Sequence, residues 1–492
     1  MLPCGDLPGD APGDTLRRLC AKEIRQLQYV STRGKAPSVG FDDALLAGLA
    51  PDGGLYVPEL WPHMPPETWA ALAGKPYGEV AKAVLGPLVG GAIDAEALEG
   101  IVAESYAGFG HAAVAPLRQL GAGDWLLELF HGPTLAFKDY ALQLVGRLFD
   151  HVLNKRGQHV TIVGATSGDT GSAAIEACRD RNAIDVFILY PHGRVSEVQR
   201  RQMTTVTSAN VHTIAIEGTF DDCQDLVKAM FADALFRERM RLSAVNSINW
   251  ARIAGQIVYY AYAALSLGAP GRPVAFSVPT GNFGNVFSAY AARRMGLPID
   301  RLVVGTNRND ILARLLTTGE MTIEGVEPTL SPSMDIQVSS NFERLLFELA
   351  GRDGAAVATS MAQFRREGEL KLAASQFKEM TSLFVGARVD DETTLATIKR
   401  VYETTGELVD PHTAIGIRAA EARRGGNAVP MIALGTAHPA KFPDAVERAV
   451  GIRPALPARL AGLMSARERL TVLANDVKAV QAFIRSKTGA GS

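Results

Sequence analysis

The stretch HVTIVGATSGDTGSAAIEACR (159–179) predicts a strand, then a polar loop with glycines, then a helix. The same alternation of short apolar runs and helical runs extends along the chain on both sides of it. Other predicted strands are WLLELF (125–130), DVFILY (185–190), VHTIAIEG (211–218), PVAFSV (273–278), RLVVGT (301–306) and PMIALGT (430–436). Further predicted helices cover residues 140–155, 194–203 and 221–236. Because such units build parallel sheets covered by helices on both faces, we predict an α/β protein with more than one sheet.

The composition limits the kind of protein this chain can be. Of its 492 residues, 47% are hydrophobic and 21% are charged, which excludes a disordered or fibrous chain. The length suggests about three domains. Fifty lysines and arginines against 52 acidic residues leave a net charge of −2. This balance argues against nucleic acid or an anionic membrane as the main partner, since both favour a strongly basic protein.

Three sequence features point to a cytoplasmic protein. The four cysteines are scattered without a C-x-x-C pair, so neither a metal site nor a disulfide framework is predicted. Residues 1–13 lack the basic and apolar segments of a secretory signal. The longest apolar helical run, near residues 257–267, is about half of the length that spans a bilayer.

The loop HGPTLAFKDY (131–140) follows a predicted strand and contains Lys138 among apolar neighbours. Burial of an amine disfavours its charged form, which lowers its pKa and provides the neutral amine that Schiff-base chemistry needs. The alternative is an ordinary surface lysine at a helix start, paired with Asp139. The loop alone does not decide between these two interpretations.

The loop PTGNFGN (279–285) lies between a predicted strand and a predicted helix, which is the usual setting of a phosphate site. Gly281 and Gly284 allow several N–H groups to converge on one phosphate. Asn282 and Asn285 add side-chain donors. The loop is neither a Walker A sequence nor G-x-G-x-x-G, and the alternative is a plain tight turn.

The loop GATSGDTGSAA (164–174) places polar side chains at a second helix N-terminus. The candidate binding residues are Thr166, Ser167, Asp169 and Thr170. Such a site suits a second anion, either a carboxylate or a phosphate. The alternative is a helix N-cap, which explains one or two of these residues but not the whole cluster.

Two further segments add polar groups. Thr436, in LGTAHPAKFPDAV, ends a predicted strand, where its hydroxyl could bond a heterocycle nitrogen; the alternative is a turn residue. NSINWARI begins a helix with three polar residues that can share one face, Asn246, Asn249 and Arg252. Arg252 could form charge-assisted bonds to a phosphate, whereas a simple N-cap is the alternative for either asparagine.

Taken together, these features predict pyridoxal phosphate as the cofactor, in contact with an anionic substrate. The cofactor phosphate would occupy one anion site, and its aldehyde would react with Lys138. Its ring nitrogen would face a group at a strand end.

Several segments resemble the threonine synthase family in its longer, bacterial and fungal form. They are HGPTLAFKD, GATSGDTG, NSINWARI, PTGNFGN, DPHTA, LGTAHPAKFPDAV and, near the start, STRGKAPSVGFDDALLAGLAPDGGLYVP (31–58). The resemblance runs from about Tyr29 to Val450. It implies the tryptophan-synthase-β-like fold of pyridoxal-phosphate enzymes (fold type II), with two open, twisted, mostly parallel sheets flanked by helices.

We expect the chain to divide into five parts. These are a flexible leader (1–28), a mainly helical N-terminal domain (29–120), a large cofactor-binding α/β domain (121–158 and 271–460), a small substrate-binding α/β domain (159–270) and a C-terminal helical tail (461–492).

By resemblance, Lys138 carries the cofactor and is the catalytic residue, and Thr436 faces the ring nitrogen. The residues expected to hold the cofactor phosphate are Gly281, Asn282, Phe283, Gly284 and Asn285. The residues expected to bind the substrate are Thr166, Ser167, Asp169, Thr170, Asn246 and Arg252. Shorter relatives have Asn in place of Asp169, and an ionised Asp would repel the 3-oxygen of the cofactor. The partner of that oxygen is therefore left open.

The implied reaction converts O-phospho-L-homoserine and water to L-threonine and phosphate, in a monomer or homodimer. One alternative is a phospho-lyase that releases 2-oxobutyrate from the same substrate. Another is a non-catalytic protein that binds a phosphorylated ligand on the same scaffold. The histidines in these loops are expected to be structural, and they are His131, His412 and His438.

Overall fold

Two separate sheets of mostly parallel strands organise the chain, as predicted. The computed structural model describes residues 27–244, 247–426 and 428–488. The strands are β1 Tyr29–Ser31, β2 Tyr56–Pro58, β3 Leu117–Gln119, β4 Asp124–Glu128, β5 Val160–Ala165, β6 Ile184–Pro191, β7 Val211–Glu217, β8 Leu242–Ser243, β9 Val274–Pro279, β10 Ile299–Thr306, β11 Glu320–Thr322, β12 Glu369–Lys371, β13 Phe384–Arg388, β14 Met431–Gly435 and β15 Thr471–Ala474.

Helices connect these strands. The α-helices are α1 Phe41–Ala47, α2 Pro66–Ala71, α3 Tyr77–Val89, α4 Ala95–Tyr106, α5 Lys138–Arg156, α6 Asp169–Cys178, α7 Glu197–Thr204, α8 Phe220–Ala232, α9 Ala234–Met240, α10 Trp250–Ser266, α11 Gly284–Arg294, α12 Ile311–Thr318, α13 Phe342–Leu349, α14 Gly354–Glu367, α15 Ala374–Thr381, α16 Asp391–Thr405, α17 Pro411–Arg423, α18 Pro443–Val450 and α19 Val477–Lys487. Short 3-10 helices cover Pro332–Met334, Pro439–Lys441 and Ala458–Met464.

The larger sheet has the strand order β13-β10-β9-β14-β4-β3. Neighbouring strands are parallel, except that β3 runs antiparallel to β4. Strands β9 and β14 are buried along their whole length, which agrees with their continuous apolar sequences. The sequence analysis did not predict β13 (FVGAR), which forms one edge of this sheet.

The smaller sheet has the order β15-β7-β6-β5-β8, and all its strands are parallel. The segment 461–492, expected to be a helical tail, contains the helix α19 and also strand β15. Strand β15 has only four residues and lies half-exposed at the edge of the sheet. Its sequence therefore lacks the apolar run by which a buried strand is predicted. The boundaries of the domains themselves stay a prediction.

The predicted helix over 221–236 is in fact two helices, α8 and α9. They meet at Asp233, which ends the first helix and caps the second. Its carboxylate accepts the N–H of Phe236 at 3.0 Å. This carboxylate cap gives the second helix its own start, whereas the apolar pattern alone runs through both.

From residue 27, where the described chain begins, to residue 116 there are four helices and the antiparallel pair β1–β2. Helix α3 packs against α10, and α4 packs against α5. Tyr29 and Trp69 are fully buried in this layer. Helix α5 begins at Lys138, and α10 begins after the NSIN segment. The N-terminal helices therefore pack against the two helices that carry Lys138 and Arg252.

The loops that follow β4, β5 and β14 meet between the two sheets. Lys138 from the first loop and Lys441 from the third both contact Asp169 from the second. This is the position expected for a ligand site in parallel sheets, at the carboxyl ends of the strands. In the described parts of the chain, no helix combines the length and the apolar character needed to cross a bilayer.

Candidate active site

Lys138 is the first residue of α5, and only 8% of its surface is exposed. Its Nζ lies 3.3 Å from Oδ2 of Asp169 and 4.9 Å from the centre of the Phe137 ring. Burial lowers the pKa of Lys138; Asp169 opposes this, while Lys441 and Arg252 lower the pKa further. Lys138 is therefore a buried amine in a charged pocket, and not a surface lysine.

Asp139 does not pair with Lys138. Its carboxylate instead accepts the backbone N–H of Thr134 at 2.8 Å and the Thr134 hydroxyl at 2.6 Å. Burial raises the pKa of this fully enclosed carboxyl to about 6. Asp139 thus closes the turn that carries Lys138 to the start of its helix.

Asp169 is a buried carboxylate with partners on both oxygens. Oδ1 accepts bonds from Lys441 Nζ and from Gln199 Nε2, each at 2.8 Å, while Oδ2 faces Lys138. Burial alone would raise the pKa of this carboxyl, but the two lysine ammonium groups hold it well below its usual value. An ionised Asp169 therefore lies between two lysines.

The other polar residues of the same loop have different surroundings. Thr166 is buried, and its Oγ1 accepts the N–H groups of Gly168 at 3.0 Å and Gly171 at 2.9 Å. Ser167 is exposed and Thr170 is half-buried. Helix α6 has Gly168 as its N-cap, without a side-chain cap. Thr166 thus shapes the loop, while Ser167 and Thr170 keep hydroxyl groups accessible to a ligand.

Gly168 has a backbone that other residues rarely adopt, with φ of +139°. A Cβ atom there would lie 2.4 Å from Cδ of Gln199, the residue that bonds Asp169. We expect Gly168→Ala to lower the free energy of unfolding by about 3 kcal/mol, because it combines backbone strain with a clash. Chemical denaturation measures this loss.

The control for this variant is Gly157→Ala, at a glycine with φ of +60° and no atom within 4 Å of the added Cβ. That change should cost only about 1 kcal/mol, from backbone strain alone. Equal losses in the two variants would show that the contact with Gln199 does not restrict position 168.

The loop 280–286 leads from β9 into α11. Its Phe283 has φ of +61°, and Cβ atoms on Gly281 and Gly284 would lie 3.1 Å from Ser333 O and from Asn341 Nδ2. The backbone N–H and Nδ2 of Asn341 donate to the carbonyl of Asn282 at 3.1 and 3.0 Å. Thus the loop packs closely on the segment before α13, which restricts its shape.

The donors of this loop are unused. Within the described ranges, the N–H groups of residues 281–286 have no hydrogen-bond acceptor. Asn285 is buried, and its Oδ1 accepts the hydroxyls of Tyr259 at 2.5 Å and Tyr260 at 2.8 Å. Its Nδ2 has no partner among the described residues. A phosphate group would satisfy donors of this kind at a helix N-terminus.

Arg252, in the first turn of α10, provides a second set of unused hydrogen-bond donors. Only 4% of its surface is exposed, and its Nε and Nη1 bond no residue in the part of the chain that the structure describes. Burial lowers the pKa of this guanidinium to about 10. A buried cation without an anion is costly, so a bound anionic group is the natural partner of Arg252.

The two asparagines of the NSIN segment are not equivalent. Asn249 caps α10, since its Oδ1 accepts the N–H of Ala251 at 3.0 Å and its Nδ2 donates to Leu45 O at 2.8 Å. The capping interpretation is therefore correct for Asn249. Asn246 lies outside the described residues.

Thr436 directly follows β14 and is 95% buried, with 5% of its surface exposed. Its N–H donates to Thr413 Oγ1 at 3.1 Å, and its carbonyl accepts the N–H of Phe137 at 2.9 Å. These bonds tie Thr436 to the residue before Lys138. Among the described residues its hydroxyl has no hydrogen-bond partner, so it stays available to a ligand.

The three histidines have protein partners. Nε2 of His412 accepts the N–H of Ser333 at 3.3 Å, so its Nδ1 carries the proton and donates to Asp410 at 2.6 Å. His131 lies 2.7 Å from Glu128, and Nδ1 of His438 accepts the N–H of Ala440 at 3.1 Å. These contacts stabilise the loops around the site.

Sequence reasoning missed Lys441 and Gln199 as members of the site. Lys441 lies in the quoted segment LGTAHPAKFPDAV, among proline, alanine and phenylalanine, so the apolar surroundings that drew attention to Lys138 were present there too. Gln199 comes from α7 and reaches Asp169 only through the fold. Nothing in its local sequence distinguishes it.

The residues brought together fit pyridoxal phosphate. The buried amine of Lys138 suits the aldehyde of the cofactor, and the unused N–H groups of the loop 280–286 suit its phosphate. The Thr436 hydroxyl suits the ring nitrogen. Arg252 remains for an anionic substrate. The roles of the individual residues stay a prediction, and Asn246 lies outside the described residues.

Comparison with known proteins gives family matches along most of the chain. Residues 28–106 match the threonine synthase N terminus, and 110–377 match the pyridoxal-phosphate dependent enzyme family. Residues 413–484 match the threonine synthase C-terminal family. The cofactor and the fold type II architecture expected from the sequence are confirmed by these matches.

Individual relatives agree with the family matches. A threonine synthase of Pseudomonas aeruginosa is 59% identical over 93% of this chain and 98% of its own. The crystal structure of a PLP-bound threonine synthase from Brucella melitensis is 55% identical, with a TM-score of 0.93 over 94% of this chain and 99% of that one. The yeast enzyme structure is 39% identical, with a TM-score of 0.90 over 95% and 99%. The chain therefore belongs to the threonine synthase family of pyridoxal-phosphate-dependent enzymes.

Proposed function

We propose that this protein converts O-phospho-L-homoserine and water into L-threonine and phosphate. The observation that carries the proposal is the position of Lys138, a buried amine against Asp169 and near Arg252. Arg252 has two nitrogens that bond no described residue. A reactive amine beside an anion-binding arginine suits a substrate that has both an amino-acid end and a phosphate.

The cofactor site would be formed by the parts described above. Bound pyridoxal phosphate withdraws electrons from an attached amino acid, which makes protons next to the reacting carbons easier to remove. Lys138 Nζ would hold its aldehyde end, and the Thr436 hydroxyl would face its ring nitrogen. The phosphate would be held by Gly281, Asn282, Phe283, Gly284 and Asn285.

The substrate site would be divided by charge. Asp169 is ionised and accepts hydrogen bonds only, so it suits the N–H groups of the substrate's amino group. Arg252 donates, and it suits the carboxylate or the phosphate. The hydroxyl residues Ser167 and Thr170 would add donors. Thr166 can also donate its hydroxyl proton while its oxygen accepts the two loop N–H groups, and Asn246 is retained from the resemblance.

Lys138 would also move protons. Burial favours its neutral amine, which can accept a proton from the α-carbon and then from the β-carbon of the substrate. The contact of Nζ with Asp169 Oδ2 at 3.3 Å orients the amine. Arg252 would hold the anionic group of the substrate during these steps.

We also propose that the protein acts in the cytoplasm as a monomer or a homodimer. The scattered cysteines and the balanced charge support this location. A small-molecule substrate is in keeping with the enzyme family.

Product analysis tests the proposed reaction. We expect the purified protein, incubated with O-phospho-L-homoserine, to release threonine and phosphate in equal amounts, measured by chromatography and phosphate assay. Phosphate together with 2-oxobutyrate, and no threonine, would instead identify a phospho-lyase. Cofactor-loaded protein that releases no phosphate would overturn the substrate assignment.

A further inference from the structure

Lys441 is a lysine with no exposed surface, at the end of the 3-10 helix Pro439–Lys441. Its Nζ donates to Asp169 Oδ1 at 2.8 Å and to the carbonyl of Thr134 at 2.7 Å. Fully buried lysines are rare because the ammonium group loses its hydration. Lys441 is therefore held in place by the site, and it does not belong to the general surface.

The contacts of Lys441 join both sheets to the loop of Lys138. Asp169 follows a strand of the smaller sheet, whereas Lys441 and Thr134 follow strands of the larger sheet. Gln202 of α7 donates to the same Thr134 carbonyl at 3.1 Å, as an uncharged second donor. The chain thus offers a charged and a neutral donor on one acceptor.

Lys441 adds a second lysine charge beside the carboxylate that Lys138 contacts. The charged groups that act on Lys138 are Asp169, Lys441 and Arg252. Asp139, in the same loop, bonds Thr134 and faces Lys441 and Arg459. Without Lys441, the shared carboxylate of Asp169 would have Lys138 as its sole lysine partner. A carboxylate paired with a single amine holds that amine in its charged form, which cannot act as a nucleophile or base.

We propose that Lys441 is a positioning residue, which holds Asp169 by one oxygen and balances its charge so that the amine of Lys138 stays available for reaction. This inference rests on the proposed role of Lys138. Among the described residues, Lys441 forms no hydrogen bond with Lys138 or with the loop 280–286. It acts through Asp169 and through its charge. Burial lowers the pKa of Lys138 most, and the charge of Lys441 lowers it further, in agreement with this assignment.

The test measures the protonation of Lys138 without any turnover. The full chain is freed of cofactor, labelled with trace acetic anhydride across a range of pH, and analysed by mass spectrometry of the peptide that contains Lys138. Exposed Lys155, on the same helix, provides an internal standard. In Lys441→Met, the labelling midpoint of Lys138 should move upward by about one pH unit or more, since a nearby cation has been removed.

Gln202→Met is the matched control, because it removes the neutral donor to Thr134 and leaves every charge in place. Its labelling midpoint should equal that of the wild type. An unchanged midpoint in folded Lys441→Met, or an equal shift in Gln202→Met, would overturn the proposal.

A second pair of variants covers the case in which Lys441→Met fails to fold. Asp169→Asn and Asp169→Asn/Lys441→Met carry no buried carboxylate that lacks a partner. The proposal predicts a higher Lys138 midpoint in the double variant than in Asp169→Asn. Equal midpoints would overturn it. Because labelling needs no substrate, a result that overturns the inference about Lys441 is distinguishable from a failure of the proposed reaction.

Discussion

Replacement of Lys138 by alanine should remove the visible absorbance of the protein-bound cofactor. It should also reduce threonine formation at least ~10³-fold, because the variant loses the group that holds the cofactor and moves protons. The absorbance spectrum and steady-state kinetics measure the two effects. The size of the expected loss reflects the lack of a substitute: Lys441 is engaged by Asp169 and by the carbonyl of Thr134.

Lys155→Ala serves as the control for this experiment. Lys155 lies in the last turn of the same helix, is exposed, and is remote from the loops of the site. We expect this variant to keep both the absorbance and the activity. If Lys138→Ala retained the colour of the bound cofactor, the cofactor lysine would have to be another residue.

Arg252→Met should reduce kcat/KM for O-phospho-L-homoserine by about 10²-fold or more. Methionine preserves much of the volume but removes the donors, and each hydrogen bond to a charged group contributes roughly 1.5–3 kcal/mol. Most of the loss should appear in KM, because the anion is already present in the bound substrate. Steady-state kinetics at saturating cofactor measures this.

In the absence of substrate, Arg252→Met should not destabilise the protein. Arg252 is buried with two nitrogens that bond no described residue, so its removal should leave the stability unchanged or raise it. Arg418→Met, at a half-exposed site on α17, should change neither KM nor stability. An unaltered KM in Arg252→Met would exclude Arg252 from the substrate site.

The positions of the binding loops could be predicted from the sequence because they depend on local pattern. The apolar runs at 125–130 and 159–165 correspond to β4 and β5, within two residues at each end. The polar loops that follow them are the loops that meet between the sheets. Strand prediction placed Lys138 and Asp169 each just beyond the carboxyl end of a strand. Because β4 and β5 belong to different sheets, the contact between the two residues depends on how the sheets pack and could not be predicted.

The partners of these residues could not be predicted, because they come from distant parts of the chain. Lys441 is 272 residues from Asp169 in sequence, by subtraction of their numbers, and Gln199 reaches it from another helix. Local sequence also left open the choice between a binding residue and a cap. For Asn249 the contacts with Ala251 and Leu45 decide in favour of the cap.

The most direct test of the proposed reaction is to follow the oxygen of water. The protein is incubated with O-phospho-L-homoserine in ¹⁸O-labelled water, and the products are analysed by mass spectrometry. Loss of phosphate by carbon–oxygen cleavage, followed by addition of water, predicts one ¹⁸O in the hydroxyl group of threonine and none in the phosphate. Label in the phosphate, together with homoserine as the product, would show simple phosphate hydrolysis and would contradict the proposed function.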